Sequence, residues 1–302
     1  TIGGVPYKFT KNEAFTYVSG KMMNFGIKVD KQTGSGAYKL TLVSESITPW
    51  ENDLVSHDAT TKEYVVINST KGHLKEAIAA ANKDYTKIKN LKITGEISAQ
   101  DFYFMRDSME NLAALNLKEV IIRGGEQRLT GGAQGVYPHN DYEIPYEALR
   151  GKKSLNLLVL PDKLTKIGIA AFADDQNITG SLIIPEGVTE IEVGAFYDCR
   201  SMNGTLSLPS TLKYLGRGID LWWYGGVFTY CGFTSELILP NNLECIAGNN
   251  TFAGCEGLHG ELRFPEKLTE ISDGAFNGCK SLTGSITIPQ GVHKLPTSFP
   301  VL

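Results

Sequence analysis

The sequence predicts an α/β solenoid, built of short strands and irregular helical turns, preceded by a helix-containing cap and a small β-rich N-terminal region. Three observations predict it. An apolar-x-apolar-Pro run recurs with its prolines at Pro161, Pro185, Pro209, Pro240, Pro265 and Pro289, in steps of 24, 24, 31, 25 and 24 residues. A fixed period of this size marks a solenoid. A phenylalanine recurs in step with the prolines, at Phe172, Phe196, Phe228, Phe252 and Phe276, and Cys199, Cys231, Cys255 and Cys279 each follow it at the same place.

Each part of the unit has a physical role. The apolar-x-apolar run alternates with period two, as a half-buried strand does. Proline ends that strand, having no N–H for a ladder. The Leu/Ile pair after it and the phenylalanine fill the interior, and Gly180, Gly204, Gly260 and Gly284 turn the chain into the next strand. One such unit cannot bury its own apolar face, whereas stacked units form a continuous core. The repeats occupy residues 151–302.

Two regions precede them. In residues 1–67, Ile27–Asp30, Tyr38–Leu42 and Tyr64–Ile67 alternate like strands, with a turn-rich connector at Lys31–Gly36. This length is marginal for an independent core, so the region is expected to dock on the residues after it. In residues 68–150, Ser69-Thr70 is read as capping a helix that carries Leu74, Ala77, Ile78 and Ala81 at helical spacing. Leu91–Gly95 reads as a strand, Ser98–Asp101 as a capping box opening a second helix, and Leu115–Leu117 and Val120–Ile122 as further strands. Residues 70–125 are therefore expected to cap the open end of the first coil. Between 123 and 148 lies a polar, glycine-rich connection, read as an irregular transition between two coil types and alternatively as a binding loop. Ile144-Pro145 and Ala148-Leu149 within it resemble a degenerate repeat with Leu149 at the phenylalanine place.

In register, the units read Leu-x-Leu/Ile-Pro, an Ile/Leu after six residues, then Ala-Phe-x-x-Cys. This pattern resembles the BspA-like bacterial leucine-rich repeat over about residues 155–302. The first unit departs from it with Asp175 in place of cysteine, the third is long, and the last breaks off at Phe299-Pro300-Val301-Leu302, as a truncated or atypically capped array would. Members of this family often carry a block like residues 91–117 ahead of the repeats. The resemblance implies a leucine-rich-repeat solenoid and an exported or surface-attached bacterial protein that adheres to host proteins or to other cells. It carries over no binding residue, because the repeat motif is structural.

Composition excludes several classes. The chain has 302 residues, 42% hydrophobic, with a formal net charge of −4, an ordinary balance with room for two domains. That charge argues against a nucleic-acid partner. No apolar run reaches the ~20 residues of a membrane helix, so membrane attachment is expected only through a lipid or leader anchor absent from the sequence, and no signal peptide is visible at Thr1–Gly4. The five cysteines are read as small buried thiols, because equivalent places on stacked coils point the same way instead of at each other. No nucleophile elbow, phosphate loop or metal-binding histidine pair is present, so no enzyme, cofactor or metal is expected.

Two features are candidate binding elements. The central residue of each repeat strand reads Val159, Ile183, Ser207, Ile238, Arg263 and Thr287, and stacking is expected to set these out as one exposed ladder. Lys166, Glu190, Tyr214, Cys245, Glu270 and Lys294 run beside it. The alternative reading of the ladder is simple strand propensity. The second feature is the extra length of the third unit, where Arg217, Trp222, Trp223 and Tyr224 sit among glycines. Insertions in solenoids map to loops, and Trp, Tyr and Arg dominate binding hot spots; the alternative is an aromatic plug. The expected function is non-enzymatic binding of a host or bacterial surface protein at the cell surface or outside the cell. Glycan capture for a surface polysaccharide system and an inert structural spacer are the alternatives.

Overall fold

The computed structural model describes residues 21–31, 38–49, 63–128, 136–218, 225–293 and 296. The chain divides into two compact units, Thr1–Ser56 and His57–Leu302. In the first, Lys21–Lys31 and Tyr38–Pro49 form an antiparallel pair whose register shifts between Gly26 and Ile27. Of the connector read between them, Lys31 ends the first strand and residues 32–36 lie outside the described residues.

The second unit begins with a sheet of parallel strands. Val65–Ser69 pairs with Asn90–Ile97, which pairs with Ala114–Asn116, which pairs with Leu157–Val159. Tyr64–Ile67, read with the N-terminal region, thus contributes the first strand of the repeat body. Helix α1 (Leu74–Ala80) and helix α2 (Ala99–Ser108) lie between these strands and bury Leu74, Ile78, Phe102 and Met105. The capping box of α2 forms as its sequence requires, between Ser98 and Asp101. The cap of α1 differs from expectation: Ser69-Thr70 does not supply it. Asp101 Oδ1 accepts the Leu74 N–H at 2.9 Å, and Asp101 Oδ2 accepts the N–H groups of Gly72 and Ser98, each at 2.8 Å. A carboxylate has lone pairs enough to satisfy the orphan donors of both helices, and burial raises the worth of each bond.

From residue 143 on, each coil contributes a two- to four-residue strand to a six-stranded parallel sheet. Its members are Glu143–Ile144, Lys166–Ile167, Glu190–Glu192, Tyr214–Arg217, Cys245–Ile246 and Glu270–Ile271. Ile144 therefore aligns with Ile167 and not with the proline-ended strand that Ile144-Pro145 suggested. The strand of that coil that corresponds to the later proline-ended strands is Ala114–Asn116, with Lys118 at the proline place, and residues 118–142 are an insertion containing the antiparallel pair Gly125–Arg128 and Val136–His139.

The interior is a set of stacks. Phe172, Phe196, Phe228, Phe252 and Phe276 stack face to face with centroids 5.1, 5.7, 5.4 and 5.3 Å apart. Leu149 heads this column: its N–H donates to Ala171 O just as the Phe172 N–H donates to Ala195 O. All five cysteines are buried and free. Four form the thiol column that the spacing predicts, each S–H donating to the phenylalanine carbonyl one coil back at 3.0–3.2 Å. The helical turn around each phenylalanine is irregular because left-handed residues bracket it, as with Ala170 and Asp174 around Phe172 and Asn250 and Gly254 around Phe252.

Candidate binding surface

Among the described residues, the six-stranded sheet has the most strands of any sheet in the repeats. Period-two alternation sends Ile144, Ile167, Ile191, Leu215, Ile246 and Ile271 into the core, where all are 0–1% exposed. It turns Glu143, Lys166, Glu190, Tyr214, Cys245 and Glu270 to the other face, in register. All of these but the buried Cys245 are partly exposed.

Charged groups tie neighbouring strands together across this face. Lys166 Nζ lies 3.4 Å from Glu190 Oε2 and 2.7 Å from Glu192 Oε1. Glu192 Oε2 also accepts the Ile169 N–H at 3.1 Å. Burial pushes the Glu192 carboxyl up, opposed by Lys166; burial disfavours the Lys166 ammonium, but Glu192 and Glu190 outweigh it and leave that group raised.

The centre of the face is aromatic. The Arg217 guanidinium lies 3.5 Å from the centroid of the Tyr214 ring, within cation–π range. The Tyr214 hydroxyl donates to Glu244 Oε2 at 3.0 Å, and Lys213 Nζ lies 3.8 Å from Glu244 Oε1. On the next strands, Cys245 Sγ donates to Glu270 Oε2 at 3.3 Å. Burial and then Glu270 push the Cys245 thiol up to about 11, with Arg217 opposing. A β-bulge creates the stack. Ile191 faces Leu215, but Glu192 faces Arg217, so Gly216 is the extra residue, in the left-handed region at φ +79°. In a strand of unbroken alternation Arg217, three residues from Tyr214, would lie on the opposite face. Only glycine fits, since a Cβ at 216 would overlap the Ala247 carbonyl oxygen.

The sequence-predicted site residues are dispersed. Trp222, Trp223 and Tyr224 lie outside the described residues. Arg217 is exposed and forms the stack just described. The proline-ended strands do not set out one ladder. Ile183 pairs with Ser207, Val159 pairs with Asn116, and farther on Glu236 bridges to His259 while His259–Glu261 pairs with Ser281–Thr283. Proline follows closely only the strands at Leu157–Val159, Leu182–Ile183 and Leu206–Ser207, the later pairs His259–Glu261 and Ser281–Thr283 lie ahead of the apolar runs that end in Pro265 and Pro289, and the 31-residue step intervenes, so the pairing is in short pieces. Val159 and Ile183 are partly buried, Ile238 is 69% exposed, and exposed Arg263 pairs with Glu261 at 2.5 Å. Lys294 lies outside the described residues. Sequence reasoning placed Tyr214 beside the expected ladder and missed its contact with Arg217. The signal for it was Gly216, one residue before Arg217 in an alternating strand.

No helix among the described residues is long and apolar enough to cross a membrane. The family model of the BspA type leucine rich repeat region matches the chain in six copies, over residues 142–219 and 224–299. No curated protein matches the chain. Among solved structures, the chain is similar to a T. pallidum leucine rich repeat protein at 25% identity and a TM-score of 0.38, over 57% of this chain and 68% of that one. A leucine-rich repeat protein from Bacteroides ovatus matches at 21% identity and a TM-score of 0.44, over 89% of this chain and 59% of that one. One from Eubacterium ventriosum matches at 16% identity and a TM-score of 0.33, over 72% of this chain and 63% of that one.

Proposed function

We propose that this chain, which belongs to the family built from the BspA type leucine rich repeat, is a non-enzymatic scaffold exported to the bacterial surface. There it binds proteins of the host or of other cells through the outer face of its six-stranded sheet. The family and fold are repeat scaffolds, consistent with protein interaction. The observation that carries the reading is the Tyr214–Arg217 stack at the centre of that face, held by a glycine bulge and rimmed by Lys213, Glu244 and Glu270. Tyrosine and arginine are the residue types that concentrate binding energy at interface centres. A partner docking here would immobilise side chains that are already ordered by their mutual contacts, which lowers the entropic cost of association. Surrounding carboxylates and ammonium groups would steer the partner and fix its orientation.

The test is an array of extracellular proteins and glycans probed with three forms of the full chain. These are wild type, the double variant Tyr214→Ala/Arg217→Ala, and Trp222→Phe/Trp223→Phe, each checked for native circular dichroism. A protein ligand weakened at least about tenfold by the Tyr214/Arg217 variant supports the reading. A protein ligand bound equally by that variant overturns the assignment to this face. A glycan ligand lost only in the tryptophan variant, or no ligand of either class, overturns the protein-binding function in favour of glycan capture or a spacer.

A further inference from the structure

Asp175 stands where the other coils have a buried cysteine, and its surroundings are those of a proton donor. Cys199 Sγ donates to Phe172 O at 3.2 Å, Cys231 Sγ to Phe196 O at 3.1 Å, Cys255 Sγ to Phe228 O at 3.0 Å and Cys279 Sγ to Phe252 O at 3.1 Å. One coil before Asp175, the phenylalanine place is held by Leu149. Asp175 thus holds the repeat place from which the later thiols reach the carbonyl one coil back, here that of Leu149, which also accepts the Lys152 N–H at 3.1 Å.

Asp175 is 0% exposed. Its Oδ1 accepts the Lys152 N–H, and its Oδ2 has no hydrogen-bond partner. A carboxylate oxygen cannot bond a carbonyl oxygen unless a proton lies between them. The charged groups nearby are committed elsewhere. The Lys152 ammonium donates to Met109 O at 2.6 Å and Arg106 O at 3.2 Å, at the end of α2. Asp174 faces Arg150, which also pairs with Glu147. Cys199 approaches from the next coil as a neutral thiol, its ionisation disfavoured by burial and by Asp175. No cation forms an ion pair with Asp175 among the described residues. Burial pushes its carboxyl well above the usual carboxylate range, and the negative Asp174 adds to that, against the Lys152 N–H and the Lys152 charge.

We propose that Asp175 is carried in the folded protein as the neutral acid, its Oδ2–H donating to the Leu149 carbonyl in place of a thiol, and that loss of this proton loosens the joint between the coils holding Leu149 and Phe172. The joint is then a pH-sensitive element at the start of the regular repeats. The sign follows from linkage. The proton is held more tightly in the folded chain than in the unfolded one, so the full stability is present at low pH. It declines as pH rises from the ordinary aspartate range and levels off once the folded carboxyl has ionised.

The test compares urea unfolding of wild type, Asp175→Asn and Asp175→Cys across about pH 4 to 9. Asparagine keeps an acceptor for the Lys152 N–H and a donor for Leu149 without an ionisable proton; cysteine restores the repeat's own residue. The expected result is that the wild-type folding equilibrium falls relative to both variants by up to about tenfold per pH unit over the interval, converging with the asparagine variant at the acid end. A wild-type-to-variant difference that is independent of pH, or that grows in favour of wild type as pH rises, overturns the proposal. The protonated-carboxyl stretch in the infrared spectrum is a second readout. Its presence in wild type at neutral pH and loss in whichever variant folds supports the proposal; its absence from wild type overturns it.

Discussion

Replacing Gly216 with alanine tests whether the bulge that builds the Tyr214–Arg217 stack is a steric necessity. Two costs combine at this position. At φ +79° an L-residue sits in the left-handed region, which costs about 1–2 kcal/mol. The new Cβ also overlaps the Ala247 carbonyl oxygen, so the strand Cys245–Ile246 and the chain after it must shift. That shift strains the bond from the Ala247 N–H to Leu215 O at 2.7 Å, whose net worth is about 1 kcal/mol. The expected loss is therefore about 2–3 kcal/mol. Gly151→Ala is the matched control, because Gly151 is also left-handed, at φ +69°, and has no atom within 4 Å of the place a Cβ would take. It should lose only the conformational part, about 1–2 kcal/mol. Urea unfolding followed by circular dichroism reads both, and binding of the array-identified partner reads the position of Arg217. A Gly216→Ala protein no less stable than Gly151→Ala would refute the reasoning, since the close approach of the two strands would then contribute nothing.

Two further outcomes follow from the interior. Phe228→Ala removes a fully buried ring that stacks on both Phe196 and Phe252, and should cost about 3–5 kcal/mol in unfolding free energy, read from the urea midpoint. In the native protein, all five thiols should resist an aqueous thiol reagent at mildly alkaline pH and react fully after denaturation, because each is buried and burial disfavours the thiolate; one rapidly reacting native thiol would contradict this.

The repeat was legible because its signals are local and recur. Proline, phenylalanine and cysteine at fixed spacing describe an interior that every coil fills alike, and the stacks of Phe172 through Phe276 and Cys199 through Cys279 follow from that spacing. The capping box at Ser98–Asp101 was legible for the same reason: three residues determine it. The cap of α1 was not, because its acceptor, Asp101, lies 27 residues beyond Leu74 in the chain. A serine-threonine pair before the helix was the nearest local candidate, but packing brought a better acceptor from the neighbouring helix. Ile144-Pro145 misled in a similar way. A proline after an apolar residue marks the first strand of later coils, but the insertion after Leu117 had already moved that coil's first strand far upstream.

The candidate surface needed more than periodicity. Alternation alone assigns Tyr214 and Arg217 to opposite faces, since an odd number of steps separates them. They meet because the chain between Leu215 and Arg217 carries one more residue than its partner between Ile191 and Glu192, and glycine lets that residue adopt a left-handed turn beneath the Ala247 carbonyl. The reason glycine is required lies on a different coil, 31 residues away in the chain. A sequence displays the glycine but not the neighbour that demands it. The same holds for Asp175: the substitution of an acid for a thiol is visible in the repeat, whereas the absence, among the described residues, of a cation paired with it becomes apparent only when the Lys152 ammonium is seen turned toward the end of α2. In a solenoid, then, the recurring residues specify the coil. The departures from the repeat, Gly216 and Asp175 here, mark where one coil has been altered to suit its neighbours, and those are the places where a surface or a titratable joint can arise without disturbing the stack.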